Sequence, residues 1–269
     1  MESNLLFALE QVTPAKPLAP YIGGKRQLAA RIIKRINATD HQTYAEAFVG
    51  MGGVFLRRDR RPKCEVINDW SEDVSTFFRV IQHHYVAFLD MMRFQITSRA
   101  NFEKLLAMDP ASLTDLHRSA RFLYIQRLAF GGKVAGRHFG VAADRPGRFD
   151  VTQLGAMIEA VHDRMASVII ERLPWADFIA RYDRAGTLFY LDPPYFGSER
   201  DYGRAMFDRG QFEIMADHLS TLKGRFILSI NDHPEVRRIF AAFSMQTADL
   251  TYTIAGKGGT AARELIITN

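Results

Sequence analysis

The chain has 269 residues, is 47% hydrophobic, and carries a formal net charge of +5 with a sequence pI near 9.4. Such a length and composition exclude a largely disordered chain and fit one large α/β domain or a catalytic domain with an insertion, while a pI above ~9 is the balance expected of a nucleic-acid-binding protein. The single cysteine, Cys64, excludes an intrachain disulfide and a cysteine-based zinc site, and no apolar run approaches the roughly 18 residues of a membrane helix, so a reduced, cytoplasmic protein without a secretion signal is expected.

Residues 1–15 read as a loose lead-in. Pro17 and Pro20 then forbid an early helix, and Tyr21-Ile22-Gly23-Gly24-Lys25 opens an amphipathic helix over 27–36. A glycine turn with a lysine at the helix start is an anion site by geometry, but taken alone it reads first as an ordinary helix start; the spacing is not that of a Walker A loop. Residues 42–48 read as a strand. It runs into Val49-Gly50-Met51-Gly52-Gly53 and an apolar helix start at Val54-Phe55-Leu56. A second strand, Glu65-Val66-Ile67, preceded by Cys64 as a buried structural thiol, ends in Asn68-Asp69. Gly50 and Asp69 are 19 residues apart. An acid about 20 residues after such a loop reaches the ribose hydroxyls of a bound nucleotide. Phe55 stands at the third glycine of the dinucleotide fingerprint, which argues against a nicotinamide cofactor.

The interval 71–165 is too long for one crossover helix. Residues 74–95 and 112–130 read as helices, and 131–148 as a glycine-rich loop or hairpin with short strands at Val134 and Phe139-Gly140-Val141. Between Arg118 and Arg148, seven basic residues (Arg118, Arg121, Arg127, Lys133, Arg137, Arg145, Arg148) accompany one acid, Asp144. That one-sided balance, joined to glycines and aromatics, predicts a DNA-binding insertion over 73–165 within a catalytic domain of 1–72 and 166–269. Lys133 and Arg137 flank the tip of the hairpin.

Residues 167–171 read as a strand, followed by Trp175-Ala176-Asp177-Phe178. Thr187-Leu188-Phe189-Tyr190-Leu191 is a buried strand by its apolar, aromatic content, and Asp192-Pro193-Pro194-Tyr195 ends it. Neither proline has an N–H for a sheet ladder, so the chain leaves the sheet at Asp192, at the strand's C-terminal end, where open α/β sheets bind ligands. A plain turn with Tyr195 as packing has the same sequence. The Asp192 carboxylate and the Pro193 carbonyl, beside the Tyr195 ring, suit a flat ring carrying an exocyclic amino group. Residues 196–207 form a polar flap, 212–222 and 234–243 helices, and 226–230 a strand. The last two strands, 247–254 and 264–268, are joined by a flexible Gly256-Lys257-Gly258-Gly259 loop. Alternating strands and helices predict a mostly parallel sheet with an antiparallel C-terminal edge.

Tyr21-Ile22-Gly23-Gly24-Lys25, Ala45-Glu46-Ala47-Phe48-Val49-Gly50-Met51-Gly52, Asn68-Asp69 and Asp192-Pro193-Pro194-Tyr195, in this order, resemble the motifs of the Dam-like (D12 class) DNA adenine methyltransferases, in particular phage and prophage members. The resemblance covers most of 16–269 and is weakest over about 75–165. It implies a Rossmann-like methyltransferase fold with a seven-stranded sheet, S-adenosylmethionine as methyl donor with S-adenosylhomocysteine as product, no metal, and double-stranded DNA as partner. The methyl acceptor would be N6 of a flipped-out adenine. It implies Asp192, Pro193, Pro194 and Tyr195 as catalytic residues. Tyr21, Gly24, Lys25, Phe48, Gly50, Asp69 and Asp192 would bind the cofactor, Asp69 through the ribose. Asp177 would take the cofactor's adenine amino group, or else is simply an acid at a helix start. The family places target recognition in the insertion, where Arg127, Lys133, Arg137, Arg145 and Arg148 are the candidate DNA contacts. The hairpin resembles that of GATC-specific relatives only in outline, so no base contact is transferred. Cytosine-N4 or RNA-base methylation, and a silent DNA-binding protein on this fold, are the alternatives.

Overall fold

Short β-branched and aromatic runs become strands here, and the longer apolar-periodic stretches become helices. The computed structural model describes residues 7–140, 147, 149–198, 207–252 and 260–269. In chain order its elements are β1 (Glu10–Gln11), α1 (Ala29–Ala38), β2 (Thr43–Glu46), β3 (Arg60–Arg61), β4 (Cys64–Asn68), α2 (Glu72–Arg93), α3 (Arg99–Ala107), α4 (Asp115–Leu128) and α5 (Val151–Arg164). Then follow β5 (Ile169–Glu171), α6 (Trp175–Tyr182), β6 (Thr187–Leu191), α7 (Gly210–Ser220), β7 (Arg225–Asn231), α8 (Pro234–Ile239), β8 (Ser244–Tyr252) and β9 (Thr260–Thr268).

Seven strands form one sheet in the order β5-β4-β2-β6-β7-β9-β8. The pairs from β5 through β7 are parallel, and β9 runs antiparallel to both β7 and β8. The chain therefore builds outward from β2 to β4 and β5, returns, and builds the other way from β6. The loops leaving β2 and β6 diverge and open a crevice between them, the usual ligand position in such sheets.

Strand residues alternate between two apolar layers, as a period of two requires. Tyr44, Ile67, Leu188 and Ile227 face a layer with Ile32 of α1, Phe77 of α2, Phe122 of α4 and Leu154 of α5. Ala45, Val66, Phe189 and Phe226 face a layer with Phe178 of α6, Phe212 of α7 and Val236 of α8. The helices of the 73–165 segment thus share a continuous core with α1 and the sheet. No helix among the described residues is long and apolar enough to cross a membrane.

Four local expectations change. Residues 10–11 of the lead-in pair with β3. The apolar start at Val54 yields one 3-10 turn, Phe55–Arg57, because Arg58 goes extended (φ −68°, ψ 136°) and carries its guanidinium inward to Glu65, 2.7 Å away. The 131–140 stretch forms no strand at Val134. Gly131, Gly132 and Gly136 all adopt positive φ, so the chain curls, and a lone bridge joins Ala129 to Phe139. Val141 lies outside the described residues, as do Arg145, Arg148, most of the 196–207 flap and the Gly256–Gly259 loop. Cys64 is half-buried rather than buried, and its burial raises the thiol pKa.

Candidate active site

The first wall of the crevice is built where β2 and β4 end. Asn68 ties three strand ends together: its Nδ2 donates to the carbonyls of Ala47 (3.0 Å) and Leu173 (3.1 Å), and its Oδ1 accepts from the Leu173 N–H (2.8 Å). Asp69 follows, its Oδ2 accepting from the Gly50 N–H and its Oδ1 from the Ser71 N–H, both at 2.9 Å. Gly50 has φ +50°, and a Cβ there would meet the Tyr21 ring at 3.0 Å, so the ring rests directly on the glycine backbone. Burial pushes the Asp69 carboxyl up to about 6, against the lowering effect of the two backbone N–H bonds.

A cavity of about 490 Å³ runs from Asp69 and Trp70 to Asp192 and Pro194, a size typical of small-molecule sites. Tyr21, Gly24, Lys25, Phe48, Gly50, Asp69 and Asp192 all line it, so the structure brings these predicted residues together. Pro193 and Tyr195, on either side of the lining residue Pro194, are not themselves among the lining residues. Asp177 is placed elsewhere: it is exposed in the first turn of α6, where an acid interacts favourably with the helix dipole, and it is not part of the cavity lining. The loop after α4 closes one side with Gly131 and Val134. Gln126 fixes that loop against the N-terminal turn by donating to the carbonyls of Pro20 (2.9 Å) and Gly132 (2.8 Å), and Gly132 O also accepts from the Ile22 N–H (2.9 Å).

At the other end, Asp192 sits just past β6. Its Oδ1 lies 2.7 Å from the Lys25 ammonium and accepts from Ser229 Oγ at 3.2 Å, while Ser229 shares a bond with the Tyr190 hydroxyl at 2.8 Å. These contacts hold one carboxylate oxygen and leave Oδ2 as the other acceptor. Lys25 is buried; it also donates to the Tyr195 hydroxyl (2.9 Å), stands 3.3 Å from Glu264 Oε2 and lies 4.3 Å from the centre of the Tyr195 ring. The Tyr195 hydroxyl donates to Glu264 Oε1 at 2.5 Å. Burial pushes the Asp192 carboxyl up to about 6, opposed by Lys25 and reinforced by Glu264. Glu46, at the end of β2, lines the same cavity and is pushed up to about 8 by burial, opposed by the Tyr44 hydroxyl bond and Arg58 and reinforced by Asp192, so it holds its proton at neutral pH.

Sequence reasoning missed Glu46, Ser229, Glu264, Trp70, Gly131 and Val134. Glu264 had one available signal: it is a carboxylate heading an otherwise apolar strand, Leu265-Ile266-Ile267, and register sets it against Asn231 at the end of β7. The candidate DNA residues divide. Arg127 donates to the Leu18 carbonyl (2.5 Å), and Arg137 to the Lys133 carbonyl and Gln126 Oε1, each at 3.2 Å. Of the neighbouring cations, Arg118 pairs with Asp73 and Glu72, and Arg121 is buried on the carbonyls of Leu105 and Leu106. Lys133 is exposed. Much of the basic excess thus secures carbonyls and acids of the fold itself.

A mostly parallel sheet reversed at β9, with its cavity at the β2/β6 switch point, is the Rossmann-like methyltransferase fold. The chain belongs to the D12 class N6 adenine-specific DNA methyltransferases, whose family model matches residues 21–254. It is similar to the Type II methyltransferase M.CviBI of Paramecium bursaria Chlorella virus NC1A, with 20% identity over 256 residues covering 94% of this chain and 97% of that one. Among solved structures it is similar to precorrin 8w decarboxylase of Methanobacterium thermoautotrophicum at a TM-score of 0.41 and 12% identity, covering 96% of this chain and 100% of that one.

Proposed function

We propose that the cavity binds S-adenosylmethionine and that Asp192 presents N6 of an adenine, turned out of duplex DNA, for methylation. The supporting observation is that one cavity joins a carboxylate suited to ribose hydroxyls, Asp69, to a carboxylate with a free acceptor oxygen, Asp192. The residues present fit the cofactor: Gly50 lets the Tyr21 ring lie against the backbone of the cavity wall, and Trp70 and Phe48 offer apolar faces along it. When bound, S-adenosylmethionine supplies an already activated methyl group. The chain's own task is alignment and electrostatics.

The adenine amino lone pair is delocalised into the ring and is a poor nucleophile. Asp192 Oδ2 and the Pro193 carbonyl accept the two N6–H bonds, which turns the lone pair out of the ring plane. The Asp192 carboxylate then stabilises the positive charge growing on nitrogen. An amino group inside a duplex is out of reach, so the base leaves the stack, and Tyr195 supports it. Duplex DNA is the partner in this reading. Lys133 is its exposed contact on the loop after α4, joined by Arg145 and Arg148. Arg127 and Arg137 shape the loop that carries it.

The reading is tested by incubating the protein with methyl-tritiated S-adenosylmethionine and genomic DNA and digesting to nucleosides. Label in N6-methyladenine is expected, and DNA that stays unlabelled rejects it. Because Asp192 acts as an anion and has its pKa near 6, kcat/KM is expected to fall as pH drops through about 6 and to be level above it. Lys25, Glu264, Ser229 and Glu46 face this carboxylate, and Glu46 is neutral across that range. An acid limb unmoved in Asp192→Asn would assign it to another group.

Asp69→Asn is expected to weaken cofactor binding by about 1.5–3 kcal/mol for each hydroxyl bond to the charged acceptor that is lost. Calorimetry measures this directly. Wild-type affinity is expected to weaken below pH about 6, as Asp69 takes up its proton. A dissociation constant unchanged by the substitution removes Asp69 from the ribose.

A further inference from the structure

We propose that Glu264 is a positioning residue that keeps the methyl-transfer site negatively charged by sharing the Lys25 ammonium with Asp192. This rests on the catalytic role of Asp192 given above. Lys25 Nζ is 2.7 Å from Asp192 Oδ1 and 3.3 Å from Glu264 Oε2, and all three side chains are wholly or largely shielded from water (2%, 19% and 1% exposed). In so dry a place a single Lys25–Asp192 pair would be neutral. A neutral pair has little to offer the cationic nitrogen that forms when N6 is methylated, because the ammonium next to Asp192 opposes that charge. Glu264 changes the sum: among the described residues one cation stands between two carboxylates, which leaves one net negative charge there, and Asp192 itself lines the cavity.

Glu264 also places the cation. Its Oε1 accepts from the Tyr195 hydroxyl at 2.5 Å, which in turn accepts from Lys25 at 2.9 Å, so Lys25 is held at three points, with Asp192 Oδ1 as its nearest carboxylate oxygen. The arrangement reaches across the sheet. Lys25 comes from the turn before α1, Asp192 and Tyr195 from the loop after β6, and Glu264 from β9, two strands away from β6. Glu264 touches no reacting atom in this scheme; it acts through Lys25 and Tyr195.

Charge and shape are separated by two substitutions. Glu264→Gln keeps the size and an acceptor for the Tyr195 hydroxyl but removes the charge; Glu264→Asp keeps the charge on a shorter arm. Single-turnover methyl transfer at saturating S-adenosylmethionine and DNA is expected to drop on the order of tenfold in Glu264→Gln and less in Glu264→Asp, with the KM for DNA near wild type in both. In a Lys25→Met background the further change to Glu264→Gln is expected to cost little, because the cation it balances is gone. If Glu264→Gln does not fold, the comparison of Lys25→Met with Lys25→Met/Glu264→Gln carries the test, since it buries no unbalanced cation. The proposal is overturned if Glu264→Gln keeps the wild-type rate, if it outperforms Glu264→Asp, or if it costs as much with Lys25 absent as present. Wild-type protein that methylates no adenine would instead reject the underlying reading of the site.

Discussion

Asp192→Ala is expected to lower the single-turnover rate of methyl transfer by at least about 10²-fold while leaving duplex affinity close to wild type. Two losses combine. The amino group loses an acceptor that orients its lone pair, and the charge developing on nitrogen loses its nearest anion. Lys25 then has Glu264 as its remaining counter-charge at 3.3 Å, and Ser229 loses the acceptor at 3.2 Å. Asp192→Asn divides the effect, since it keeps the side-chain shape and one carbonyl acceptor but removes the charge. A rate for Asn nearer to Ala than to wild type assigns most of the effect to charge. Rapid-quench transfer of tritiated methyl, with fluorescence anisotropy on the same duplex, measures both halves. Turnover near wild type in Asp192→Ala would remove this residue from the chemistry, and a large loss of duplex affinity would place it in DNA binding.

The parts of this architecture that were legible in the sequence are those set by local rules. The proline pair after an aromatic run marked the end of β6 because a residue without an N–H cannot continue a ladder. The 19-residue spacing from Gly50 to Asp69 marked a glycine loop answered by an acid at the next strand end, and the structure joins the two by a direct hydrogen bond. What stayed hidden depends on tertiary partners. The 3-10 turn at Phe55–Arg57 replaces a helix because Arg58 is drawn to Glu65, a fact of side-chain burial absent from periodicity. Helices α3 and α5 escaped notice although Ser98 and Asp150 cap their N-termini with side-chain acceptors, a signal that was present. The basic stretch between Arg118 and Arg148 read as a surface because charge counts carry no information about partners. Arg118 and Arg121 instead secure acids and carbonyls within the fold, and Arg127 and Arg137 also bond to neighbouring carbonyls. Glu264 carried one local signal, a carboxylate ahead of an apolar run, but its place beside Lys25 depends on β9 inserting antiparallel between β7 and β8.

Glu65→Gln is expected to destabilise the fold by about 3–5 kcal/mol, the cost of leaving buried cations without their anion. Glu65 Oε1 accepts from Arg58 Nη1 and Arg164 Nη2, and Oε2 from Arg164 Nη1, all at 2.7 Å. All three residues are buried, and the two guanidiniums lie over aromatic rings, Arg58 over Tyr44 at 3.8 Å and Arg164 over Phe55 at 4.2 Å. The cluster joins the end of the 50–57 loop, whose Gly50 and Met51 line the cavity, to β4 and α5. At roughly 2–4 °C for each kcal/mol in a chain of this size, the melting temperature is expected to fall by about 6–20 °C. Arg79→Ala is the control, because it breaks the Arg79–Asp115 pair, which is 54% and 62% exposed, and exposed pairs contribute under about 1 kcal/mol. Scanning calorimetry of both variants against wild type decides the matter. If Glu65→Gln costs no more than Arg79→Ala, the buried cluster is not what holds the cavity wall to the sheet. If it costs the expected amount, cofactor affinity measured well below the new melting temperature is expected to weaken as well, because the loop that positions Gly50 against Asp69 is anchored at Arg58.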